Sequence, residues 1–208
     1  DKAAESLKRF GIKEGPSERK WEKYDDRFDV TKEPNEPNRF GWLVEINPLD
    51  PKSTPIKHTA VGRFKHEAGN IHIAKDGTVV CYSGDDSRFE YIYKFVSTKK
   101  YMEGDIEHNL TILDHGTLYV AKMEGNSPEK EIDGSGVLPE DGAFDGKGTW
   151  VKLLTSDTEN NKFESHVDGM SAEEVAVFTR EAADKVGATK MDRPEDFEVS
   201  PNNDKVYV

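Results

Sequence analysis

Cysteine is the scarcest chemistry-bearing residue in the chain. A single one, Cys81, occurs among 208 residues, which excludes an internal disulfide and any zinc site built on paired cysteines. Its position inside the apolar run TVVCY marks it as a buried structural thiol rather than a ligand or nucleophile. Apolar residues are also few: the hydrophobic fraction is 34%, equal to the charged fraction, so one domain with a thin, loop-wrapped core is expected. No apolar run reaches transmembrane length and no leader pattern opens the chain, so membrane insertion is not expected. Positive charge is in deficit, with 29 Lys and Arg against 41 Asp and Glu and a net charge of −12. No lysine run exceeds Lys99-Lys100, which argues against nucleic acid as a partner. Such acidity suits Ca²⁺ or another hard cation, or solubility alone. A glycine-rich phosphate cradle, a Ser-His-Asp order and an EF-hand loop are all missing.

The clearest pattern lies between Arg63 and Phe95. Asn70 to Ala74 alternates polar and apolar residues, Asp76-Gly77 is a favoured hairpin dipeptide, and Thr78 to Tyr82 and Tyr91 to Val96 are two further strand-like runs. His66 and Glu67 precede the first of these strands and Asp85-Asp86 follow the second, so a hairpin returns all four to one rim. Upstream, residues 1–38 form a charged arm with a short helix near Ala3 to Phe10 and aromatic anchors at Trp21, Tyr24 and Phe28. Arg39 to Ile46 and Ile56 to Phe64 read as strands. Downstream, residues 124–147 and 155–168 read as loops. A capping box at Ser171 to Glu174 opens a helix over Ala172 to Val186, with an apolar stripe at Val175, Phe178, Ala182 and Val186, closed by Gly187.

Gly77-Thr78, Gly116-Thr117 and Gly148-Thr149 each introduce an apolar run, and a strand from Asp204 to Val208 follows. The period, 39 and then 32 residues, points to propeller blades. The expectation is therefore a mainly β fold: a partial β-propeller with about four blade-like repeats and one inserted helix, over residues 39–208 and incomplete at both ends. Inner strand ends in a propeller face a shared channel, so Glu45, Glu67, Asp85, Asp86 and Glu195 are candidate metal ligands. Glu67 and Glu195 stand out because each lies beside a His or Arg in an otherwise apolar setting. Arg63 and Arg193 fit either a phosphoryl-binding fork or a salt bridge to their acidic neighbours.

The runs PNEPNRFGWLVEINPLDPKSTPIKHTAVGRFKHEAGNIHI, CYSGDDSRFEYIYKFVS, DHGTLYVAKM and MDRPEDFEVSP resemble the PhoX-type bacterial alkaline phosphatases, from Tyr24 to Val208. The resemblance implies a periplasmic or secreted β-propeller phosphomonoesterase, exported folded by the twin-arginine route, that uses Ca²⁺ and a two-iron (Fe³⁺) centre on small phosphate monoesters. By motif it makes Glu67 of FKHE and Glu195 of DRPE the first metal ligands, followed by Glu45 of WLVEI and Asp85 and Asp86 of GDD. Arg63 and Arg193 become phosphate holders. The iron-binding cysteine that it implies belongs to a Thr-Cys-Glu-Glu segment expected before Asp1, so Cys81 does not inherit that role. Two alternatives remain at this stage: a Ca²⁺-dependent lactonase on the same architecture, and a Ca²⁺-stabilised propeller that only binds.

Overall fold

The structure, a computed structural model, describes residues 2–125, 127–131, 134, 135, 137, 139, 140, 146–203 and 205–208. Helix α1 (Lys2–Arg9) opens the chain, and the arm that follows is a string of single 3-10 turns at Trp21–Lys23, Asp26–Phe28 and Glu36–Arg39. Strands β1 (Leu43–Glu45) and β2 (Ile56–His58) pair as a short ribbon. Both are much shorter than the runs that predict them. A 3-10 turn consumes Glu36–Arg39 before the first, and another, Thr59–Val61, ends the second.

The body is a six-stranded antiparallel sheet in the order β3-β4-β6-β7-β8-β9. Its strands are β3 (His66–Ile73), β4 (Thr78–Asp85), β6 (Ile92–Lys100), β7 (His115–Gly125), β8 (Gly146–Asp157) and β9 (Lys162–Ser165). Strand β5 (Arg88–Glu90) leaves the sheet between β4 and β6, and helix α2 (Ile106–Asn109) lies between β6 and β7. The turn Asp76-Gly77 closes the β3-β4 hairpin as expected, with Gly77 at φ 83° and the Thr78 N–H donating to Asp76. The three Gly-Thr strands β4, β7 and β8 all belong to this one sheet, and β7 pairs with β8 from His115↔Asp157 to Gly125↔Gly146. The repeat therefore marks three strands of a single sheet, of which only β7 and β8 are neighbours, rather than one strand from each of three blades.

Alternation sorts the side chains of the sheet onto two faces. Val79, Cys81, Tyr93, Phe95, Leu118, Val120 and Leu153 enter the main core. Each large apolar side chain buried there contributes roughly 1.5–3 kcal/mol. The predicted helix covers this face but breaks in two, α3 (Ala172–Val177) and α4 (Thr179–Lys185), at Phe178 (φ −110°, ψ 48°). The capping box of Ser171 and Glu174 starts α3 as expected. At the break, the Thr179 hydroxyl donates to the Val175 and Ala176 carbonyls, while the Arg63 N–H takes Ala176 O at 3.1 Å. Val175, Ala182 and Ala183 pack inward, whereas Phe178 stays outside the core cluster.

The opposite face carries a thinner cover from the C-terminal segment. Strand β10 (Met191–Asp192) pairs with β5, and β11 (Glu198–Val199) pairs with β12 (Val206–Tyr207). Between them Phe197 stacks on Tyr82 and packs with Ile92 and Ala121. Two loop expectations change here. Half of the sequence 155–168 is strand, because β8 extends to Asp157 and β9 returns from Lys162. Part of the predicted loop 124–147, and Asp204 of the predicted last strand, lie outside the described residues.

Candidate functional site

The C-terminal end of β4, Gly84-Asp85-Asp86, distributes the candidate acids to different surroundings. The Asp86 N–H donates to Lys65 O at 3.1 Å, and the Asp86 carboxylate meets Arg193 at 2.8 Å (Nε–Oδ1) and 3.0 Å (Nη2–Oδ2). The same guanidinium reaches Glu195 Oε1 at 3.0 Å. Gly84 explains why this segment can lie so close: a Cβ there would stand 2.1 Å from Pro194 O. Glu67 is the direct cross-strand partner of Gly84, so its side chain leaves the sheet on the face where Pro194 lies. Asp86, Arg193 and Glu195 meet at one rim, Glu67 starts from the same face of the sheet, and all four are at least partly exposed.

Backbone strain collects at this rim. Ala68, Phe89 and Arg193 have φ of 58°, 64° and 56°. For residues with a Cβ the left-handed region costs on the order of 1–2 kcal/mol each. Arg193 N–H donates to Ser87 O at 3.4 Å, and the β5-β10 pairing slips between Met191 and Asp192. The slip and the left-handed turn together point Arg193 toward the two carboxylates.

Asp85 faces the other way, into the core, where both of its oxygens are taken by Arg180 of α4 at 2.6 Å each. Neither side chain has measurable exposure. Burial pushes the Asp85 carboxyl above its ordinary range, against the pull of Arg180. Arg180 also donates to Arg9 O at 3.0 Å, and Arg9 grips Glu90 at 2.7 and 2.8 Å and Asp184 at 2.6 Å. The Tyr91 hydroxyl donates to the same Asp184. Phe10 lies between two guanidiniums, 4.3 Å from Arg63 and 4.0 Å from Arg180.

Arg63 is held by backbone. It donates to Phe40 O at 2.8 Å, Pro37 O at 2.9 Å and Val177 O at 3.4 Å, and is only 2% exposed. Burial, with Arg180 nearby, lowers its pKa to about 10. Glu45 lies elsewhere again, binding the buried His58 at 2.9 Å while Asp114 binds the other ring nitrogen at 2.9 Å. Burial opposes the charged ring, yet the two carboxylates outweigh it and raise the His58 pKa. His66, the neighbour of Glu67, bonds Ser83 and Gly62 O, and burial lowers its pKa to about 4, so it is neutral.

The seven candidates thus divide by environment. Asp86, Arg193 and Glu195 share the exposed rim and Glu67 starts from the same face, whereas Asp85, Arg63 and Glu45 are engaged by Arg180, by carbonyls and by His58. Sequence reasoning missed Arg180, Arg9, Glu90 and His58. Arg180 falls off the apolar stripe of a continuous helix, and only the break at Phe178 turns it inward. Among the described residues, no three His, Cys, Asp or Glu side chains stand where they could hold a metal ion together.

A family model described as alkaline phosphatase PhoX matches residues 2–208. A solved structure, "Pseudomonas fluorescens PhoX in complex with vanadate, a transition state analogue", is 42% identical with a TM-score of 0.75. The match covers 97% of this chain and 32% of that one, so the chain spans about a third of that relative's length. No curated protein matches the chain.

Proposed function

Because the chain belongs to the alkaline phosphatase PhoX family, we propose that it provides the phosphoryl-binding rim of a metal-dependent phosphomonoesterase acting on small organic phosphate esters. The observation that carries this reading is Arg193: an exposed guanidinium, on a strained backbone, aimed by Asp86 and Glu195. Vanadate bound to the Pseudomonas fluorescens relative is described as a transition-state analogue, in line with phosphoryl chemistry in that protein.

The chemistry of the rim follows from its charges. A planar guanidinium offers paired donors that match two phosphoryl oxygens, and prior alignment by carboxylates spares the cost of ordering it during the reaction. An incoming phosphoryl group would replace Glu195 on Nη2, leaving Asp86 to hold the guanidinium through Nε and the other Nη2 hydrogen. Glu67 and Glu195 are the carboxylates best placed to serve a cation. They do not by themselves make a Ca²⁺ or two-iron site, since Ca²⁺ alone takes roughly six to eight oxygens. In the proposal Ca²⁺ and Fe³⁺ are shared with ligands from the rest of a longer, periplasmic or secreted protein of propeller type, and they would supply Lewis-acid activation of the ester.

Elemental analysis and assays on a chromogenic phosphate monoester and a lactone, with EDTA controls, test the reading. Iron and calcium with phosphate release support it, whereas calcium alone with lactone hydrolysis would replace it by the lactonase. Glu67→Gln and Glu195→Gln are each expected to lower metal content with little change in the stability of the metal-free protein. Full metal occupancy in both variants would remove these residues from the ligand set.

A further inference from the structure

The arm and the body enclose a groove of about 1080 Å³ that the rim does not use. It is slightly larger than the roughly 300–1,000 Å³ usual for sites of small organic ligands. Its walls are aromatic: Trp21 and Phe28 meet edge to face at 5.1 Å, and Trp42 and Phe40 line it as well. Trp21, Phe28 and Phe40 are 53%, 41% and 53% exposed, a concentration of open apolar surface that usually marks a binding face. Arg27 stands 5.7 Å from both Phe28 and Phe40, fixing two of the rings relative to each other.

The charge of the groove runs against that of the chain. In a protein of net charge −12, Lys13, Arg19, Lys65 and the buried Arg63 line one groove. Among the described residues the first three form no ion pair, and Arg63 bonds only uncharged carbonyls. Of the two carboxylates in the lining, Glu36 is taken by Arg27 and Arg39, which leaves Glu18. An inorganic anion has no use for the aromatic walls, and a neutral ring has no use for four cations. The patch is too short for a nucleic-acid backbone track.

We propose that this groove binds a small aromatic anion, an aryl group bearing a phosphonate, phosphate or carboxylate, at a site separate from the Arg193 rim. The ring lies against Trp21 and Phe28, and the anionic group meets Lys13, Arg19 and Lys65. Lys65 marks the boundary between the two sites: it lines the groove while its carbonyl accepts the Asp86 N–H at 3.1 Å.

Isothermal titration of the chain with phenylphosphonate, methylphosphonate and benzyl alcohol tests the inference. Phenylphosphonate is expected to bind at least about tenfold more tightly than either partial mimic, because each lacks one half of the recognition. Trp21→Ala is expected to weaken binding roughly three- to tenfold, and Lys65→Met, at an exposed position, roughly tenfold. Arg193→Ala is expected to leave the affinity unchanged while it abolishes any phosphate release, which separates this inference from the phosphatase reading. Absence of phenylphosphonate binding, equal binding of methylphosphonate, or loss of binding in Arg193→Ala would each overturn it. Sedimentation supplies a further check, since a dimer that Trp21→Asp dissociates would make a second copy the occupant and would likewise overturn the proposal.

Discussion

Replacing Arg180 by methionine probes the buried pair at the end of β4. Met matches the length of the side chain but leaves the Asp85 carboxylate, with no solvent exposure and two lost contacts of 2.6 Å, without a counter-charge. Removing one partner of a buried ion pair costs about 3–5 kcal/mol. For a chain of this size that corresponds to a fall in Tm of roughly 6–20 °C. The sign of the pH dependence is fixed. Burial already raises the Asp85 pKa, and loss of Arg180 raises it further, so the folded variant binds a proton that the unfolded chain releases. The destabilisation of Arg180→Met is therefore greatest at high pH and shrinks as pH falls. Urea unfolding from pH 5 to 8 measures this, with Asp85→Asn and the double variant completing a cycle. The double variant is expected to be more stable than the sum of the two single changes. A loss below about 1 kcal/mol for Arg180→Met, or strict additivity, would refute the pairing. Loss of bound metal in Asp85→Asn, with metal retained in Arg180→Met, would instead return Asp85 to the ligand set.

Three other outcomes are expected. His58 has a folded pKa above its ordinary 6.5, so its clamp on Glu45 and Asp114 stabilises fully below that value and is lost as pH rises through the folded pKa; thermal unfolding of His58→Gln should lack this alkaline decline. Gly84→Ala should push the 193–195 segment outward, because its methyl group would stand 2.1 Å from Pro194 O; a cost of about 1–3 kcal/mol and a displaced Arg193 are expected from unfolding curves and a crystal structure. Cys81 is 1% exposed and burial raises its pKa to about 12, so it should resist a thiol reagent until the chain unfolds, and rapid labelling of folded protein would contradict its burial.

The hairpin of β3 and β4 is legible in the sequence because its signals are local: a period of two and an Asp-Gly turn. The capping box is legible for the same reason. The Gly-Thr repeat misleads because a turn glycine before a strand says nothing about whether the next strand joins the same sheet. The end of β8 and the whole of β9 are hidden by their polar residues, with β9 exposed along most of its length. At the rim, the motifs supply Asp86, Arg193 and Glu195, with Glu67 on the same face. They do not tell Asp85 from Asp86, whose opposite directions depend on where the sheet ends and on an arginine 95 residues away. Glu45 and Arg63 show the same limit, since His58 and three carbonyls take them for reasons visible only in three dimensions.

The ring of Phe10 between Arg63 and Arg180 makes the first ten residues more than an appendage. Trimming them would strip the insulation from two like charges and release Arg9 from Glu90 and Asp184 in the same stroke. Damage at the front of the chain would then be felt at the far end of β4, so shortened versions of this protein ought to keep both Arg9 and Phe10.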